Sequence, residues 1–247
     1  GTSSATIGLR LSPGSVRHPA RGEHQVQVDY DTASATLQAK QGRAQSHLSV
    51  RLKNQGTLDA SLAFPLNLSG TTAPADASMQ GDINASLHDL SPLALFFPQL
   101  YQTRGRLDAS WQVRGTLQRP RLSGQLTLKD GAADIPRLGI HLRETRVSLS
   151  GDGSDVLKIT GRMHSGKGAL DLDGSIDLRT DDTWSAALRL HGSRFELANT
   201  PEIFLLAAPD LTLDARPRTL RLDGKIDIPE GRIAPKDLAR ATLACAT

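Results

Sequence analysis

The chain has 247 residues, 38% of them hydrophobic but only 4% aromatic, with 22 Gly and 13 Pro. That composition excludes a thick aromatic-packed core, and the regular recurrence of Leu, Ile and Val excludes a disordered chain. The net charge is +3, with 29 Lys and Arg against 26 Asp and Glu interspersed, so the sequence shows no basic run with interleaved aromatics of the kind that binds nucleic acid.

In chain order, the dominant signal is a period of two. Val26, Val28 and Tyr30 alternate with polar residues, as do Leu48, Val50 and Leu52, then Leu58, Ala60, Leu62 and Phe64. Ser91 and Pro92 break the pattern, offering an N-cap and a first-turn proline ahead of the apolar run 93–97. A short buried helix is predicted near 91–100, ended or kinked at Pro98 and plugging the end of a groove. Alternation resumes over 107–117 and 122–128, then over 170–178 and 184–192. Ile203, Leu205 and Ala207 favour a strand over a helical turn at Thr200 and Pro201, and 220–228 closes the series. Strands with one apolar and one polar face, separated by Gly, Asp, Asn and Pro, predict an antiparallel all-β chain. Sheets covered on both sides would read as continuous apolar runs instead.

Gly81, Gly115, Gly124, Gly174, Gly192 and Gly224 fall inside strands, in phase with the apolar residues. Glycine there marks a sharp bend or a close backbone approach, so the strands are expected to curve around their apolar side. Residues 121–131 also match 221–231 at an offset of 100, which implies units stacked along an axis. With turns about every 12–14 residues, roughly 16–20 strands would stack to about 70–95 Å.

The chemical motifs are weak. Residues 161–168 approach a phosphate-binding loop, but Gly168 stands where the motif needs Ser or Thr and a strand follows instead of a helix, so a hairpin turn is expected. Asp171 and Asp173 share one strand face and do not converge as calcium ligands must, while 150–155 reads as a turn. The seven His residues lack metal-ligand spacing, and the lone Cys245 excludes an internal disulfide and a cysteine-based zinc site. No catalytic constellation is present, so neither an enzyme nor a bound metal or cofactor is expected. Asn67 and Asn84 each open a glycosylation pattern that arises often by chance. No apolar run reaches the roughly 18 residues of a membrane-spanning helix, and Gly1 opens no signal peptide, so the chain reads as an excised piece.

Several segments together resemble the C-terminal domain of the TamB family, the inner-membrane subunit of the bacterial translocation and assembly module, within the wider AsmA-like superfamily. They are residues 115–124, 126–131, 135–140, 165–170, 199–202, 209–213 and 228–235. The resemblance is dense from Gly81 to Asp237, and upstream only the strand texture agrees. It divides the chain into upstream strands of the same trough (1–80), a TamB-like segment (81–238) and a non-conforming tail (239–247). The resemblance implies a U-shaped sheet, or β-taco, with a hydrophobic concave face. It further implies a periplasmic segment of a protein anchored in the inner membrane of a diderm bacterium. A TamA-type outer-membrane barrel is the implied partner, and because the tail abandons the alternation where the family continues with strands, the chain leaves open whether its partner-docking end is present.

The alternation and the resemblance lead to one expectation, a half-pipe serving phospholipid movement between membranes, outer-membrane protein assembly, or both. Its occupants would be acyl chains or unfolded outer-membrane β-strands. Its lining would be Leu107, Trp111, Val113, Leu117, Leu122, Leu126, Leu128, Ile140, Leu149, Ile159, Leu170, Leu172, Ile176, Leu178, Trp184, Leu188, Leu190, Leu211, Leu213, Leu220, Leu222, Ile226 and Ile228. The rival expectation is a structural β-solenoid or adhesin-type spacer with a filled core and no cargo. Uneven strand lengths and a repeat of about 100 residues favour the trough.

Overall fold

A computed structural model describes residues 4–18, 26–66, 77–95, 97–116, 119–178 and 184–234. Its strands are β1 (Ser4–Leu11), β2 (Gly14–His18), β3 (Val26–Lys40), β4 (Arg43–Leu52), β5 (Gly56–Pro65), β6 (Gln80–Leu87), β7 (Tyr101–Gly115) and β8 (Pro120–Ile135). There follow β9 (Ile140–Asp152), β10 (Val156–Ser165), β11 (Gly168–Asp177), β12 (Ser185–Ser193), β13 (Phe195–Asn199), β14 (Ile203–Arg216) and β15 (Thr219–Ile233). All belong to one open sheet, and every strand pairing given for it is antiparallel. The all-β reading and its single trough-like sheet therefore hold.

The sheet is largely a meander, because from β3 to β12 each strand pairs with the next in sequence. Gly166, at φ 60, turns β10 into β11 where the phosphate-loop resemblance lay. The 150–155 segment likewise turns β9 into β10, with Ser154 N–H donating to Asp152. The strand at 203–207 is also present, as the start of β14.

Two expectations shift. Among the described residues the strands number fifteen, and β2 and β13 share a neighbour's edge with β1 and β12, leaving thirteen ranks and about 58 Å of sheet. One long strand absorbs residues that could have formed a turn: Asp130–Gly131 is a bulge. Asp130 sits at φ 50, the register shifts there, and β8 runs on to Ile135. The helix near 91–100 is a single 3-10 turn, Ser91–Leu95. The tail 239–247, Leu117 and the glycosylation pattern at Asn67 lie outside the described residues.

Candidate functional site

Register decides what the alternation builds. Leu52, Gly56, Leu87, Leu107, Leu128, Val147, Gly161, Leu172, Leu190, Leu211 and Gly224 are successive cross-strand partners from β4 to β15. A second row runs beside it through Val50, Leu58, Ala85, Ala109, Leu126, Leu149, Ile159, Gly174, Leu188, Leu213 and Leu222. A third contains Leu48, Ala60, Ile83, Trp111, Gly124, Gly151, Leu157, Ile176, Ala186, Ala215 and Leu220. A one-residue slip in any strand would send its side chains to the other face, so thirty-three in-phase positions require consistent register throughout.

At about 4.8 Å per strand and 3.4 Å per residue, the three rows cover about 48 Å by 14 Å, or about 650 Å² in projection. The largest apolar patch on a typical monomer is roughly 300–600 Å². Most leucines in these rows are only half-buried, because a single-layered sheet offers no opposing layer. Local packing is still specific. Trp111 is 8% exposed, and its partner Gly124 pairs in turn with Gly151. The two missing side chains leave room for the indole, and a Cβ on Gly151 would come within 3.2 Å of Trp111 Cζ3 and strike Leu157.

One margin of this face is covered. Leu90 is 3% exposed, and the 3-10 turn after it packs against both β3 and β7. Gln55 donates to Ser91 Oγ at 2.8 Å and holds it there. Farther along the same margin β13 pairs with β14 but also packs over the ends of β9, β10 and β11. Phe195 is 4% exposed beneath this crossing, and Ser165, fully buried, donates its hydroxyl to Glu196 O at 2.9 Å. Gly168 faces the Arg194 carbonyl so closely that no side chain fits.

The other face is polar and salt-bridged. Asp171 lies 3.4 Å from Arg162 and 3.8 Å from His191, so it is ion-paired across strands and not a cation ligand. Ser154 donates from its side chain and backbone to Asp152 and holds that carboxyl below the usual carboxylate range. Asp223 holds the Arg221 guanidinium above its ordinary value. Among the described residues no group of His, Cys, Asp and Glu could hold a metal ion.

Of the residues expected to line the groove, the first row holds Leu107, Leu128, Leu172, Leu190 and Leu211. The second holds Leu126, Leu149, Ile159, Leu188, Leu213 and Leu222, and the third Trp111, Ile176 and Leu220. Val113 pairs with Leu122, Leu170 with Gly192, and Ile226 with Pro209, so these extend the face beyond the rows. Ile228 lies two residues beyond Ile226 on β15, and Leu178 follows β11. Ile140 is buried at 4%, while Trp184 stands at 44% exposure before β12 begins. The expected lining omitted the upstream positions of the rows, such as Val50, Leu58 and Ile83, although they carry the same alternation. It also omitted Leu90, Phe195 and Ser165, for which the strand period gives no signal.

The family model described as "TamB, N-terminal domain" matches residues 1–128, and "TamB C-terminal domain" matches residues 155–245. The upstream strands thus share more than texture with the family. The chain is 23% identical over 130 residues to the Translocation and assembly module subunit TamB of Haemophilus influenzae, covering 52% of this chain and 10% of that protein. The match therefore spans about a tenth of that relative's length. No solved structure matches the chain. Among the described residues no helix is long and apolar enough to cross a membrane.

Proposed function

Because this chain belongs to the TamB family, we propose that its apolar face is a length of hydrophobic groove that carries phospholipid acyl chains between the inner and outer membranes. The observation that carries this reading is the set of three unbroken apolar rows. Interior strands spend their backbone N–H and C=O groups on neighbours, so the face offers an occupant only hydrocarbon. That suits acyl chains better than an unfolded polypeptide, whose own backbone groups would go unpaired. The role is binding and conduction, with no catalysis. The whole protein would be anchored in the inner membrane, cross the periplasm and meet a TamA-type outer-membrane barrel.

A second reading, outer-membrane protein assembly, draws on one different feature. Strand β15 has no partner on its outer side among the described residues, and Leu220 and Leu222 are 71% and 58% exposed on it. A client strand could pair there.

Native mass spectrometry with lipid extraction tests the groove. Protein purified from a bacterial host should carry phospholipid, and Leu172→Arg should reduce the bound fraction while the chain still folds, since Arg can extend its head to the groove mouth. A chain that purifies lipid-free and ignores acyl-chain probes would favour the spacer with no cargo.

A further inference from the structure

The sequence shows no basic run, yet register builds one on the polar face. Arg106 of β7 lies opposite Lys129 of β8, and Arg146 of β9 lies opposite Arg162 of β10. Leu128 pairs with Val147, and the register shift follows at once, so Lys129 and Arg146 are neighbours on the polar side of that pair. Four cations thus cross four adjacent strands in one line, about 4.8 Å apart. Like charges directly opposite are destabilising, and this line contains two such pairs. Asp171 pairs with Arg162 at 3.4 Å, whereas Arg106, Lys129 and Arg146 have no ion-pair partner among the described residues.

Beside the cations runs a line of hydroxyls. Thr127 pairs with Ser148, and Ser148 with Thr160. Both lines lie on one side of the sheet, because Leu128, Val147 and Gly161, which stand between them in sequence, carry the opposite, apolar face. Carboxylates stand close by: Asp108 shares β7 with Arg106, Asp130 follows Lys129 on β8, and Glu144 precedes Arg146 by two residues on β9, 3.8 Å from His164. Asp108 accepts from Ser86 at 2.8 Å, and Asp173 sits 3.9 Å from His191.

We propose that this face binds an anion bearing two or more phosphate groups. Guanidinium groups chelate phosphate oxygens in pairs, hydroxyls supply the remaining donors, and an extended anion relieves the repulsion along the line. A single phosphate would reach only two neighbouring cations. The site lies on the opposite side of the sheet from the groove, so it stands independently of the lipid reading.

Calorimetric titration with inorganic tripolyphosphate tests it, with orthophosphate as the comparison. Tripolyphosphate should bind at least tenfold more tightly than orthophosphate, and the double variant Lys129→Gln, Arg146→Gln should lose at least tenfold of that affinity. The variant should also melt no lower than the parent at low salt, because it removes repulsion. Arg106→Gln gives the same readout should the double variant fold poorly. Flotation with phosphatidic acid vesicles against phosphatidylcholine vesicles distinguishes the source. Binding to the acidic vesicles alone assigns a lipid headgroup, and binding to tripolyphosphate in solution assigns a free anion. No binding to either probe, or binding that the variants leave intact, overturns the proposal.

Discussion

Two hairpins of this sheet share a pattern, and they differ most in what stands beside them. Trp111 of β7 pairs with Gly124 of β8, and Leu211 of β14 pairs with Gly224 of β15, one hundred residues on. Both glycines are held at positive φ, 139° and 133°, and at both a Cβ would strike the neighbour's carbonyl oxygen, that of Ser110 in one and Asp210 in the other. Yet Leu126 is half-buried while the equivalent Ile226 is 48% exposed. Strand β8 has β9 on its far side, whereas β15 has no further strand beside it among the described residues. Side-chain burial in a single-layered sheet is thus conferred by lateral neighbours more than by local sequence.

Substitution at the two glycines breaks the comparison most sharply. Gly124→Val forces the collision inside the sheet and should cost about 3 kcal/mol or more, seen as a large loss of cooperative melting temperature. Gly224→Val meets the same collision, but β15 can detach, so global stability should fall by about 1 kcal/mol. Limited proteolysis should then clip β15 selectively.

Charges on the apolar rows give a smaller contrast. Leu126→Asp should cost about 2–3 kcal/mol by denaturant unfolding, because neighbours on both sides restrict its access to water. Ile226→Asp should stay within about 0.5 kcal/mol, since the edge position is already wet.

The smallest effect belongs to the covered margin. Ser165→Ala leaves the Glu196 carbonyl without its buried donor and should cost about 1 kcal/mol. Hydrogen exchange should quicken at β13 before the central strands. Unchanged protection there would mean that β13 is held by Phe195 packing alone.

Much of this was legible in the chain. The two-residue period assigns Leu172 and Asp173 to opposite faces without any structure, and Gly124 and Gly224 mark the bends because only glycine tolerates them. Strand number was less legible, since bulges such as Asp130–Gly131 use the same residues as turns. Segments that fold over the face were not legible either. Phe195 is buried by strands 18 to 55 residues away in sequence, which no local pattern records. The cation line was hidden for a related reason. Arg106, Lys129, Arg146 and Arg162 are 16–23 residues apart, and only the sum of turn lengths and bulges aligns them.

The central proposal is that acyl chains lie along one face and not the other, and photocrosslinking in cells tests it most directly. A photoreactive side chain at Leu172 or Leu222 should capture phospholipid, while one at Asp173 or Asp223 should not, because adjacent residues of a strand face opposite sides. Equal labelling at both parities, or none at either, would contradict the account.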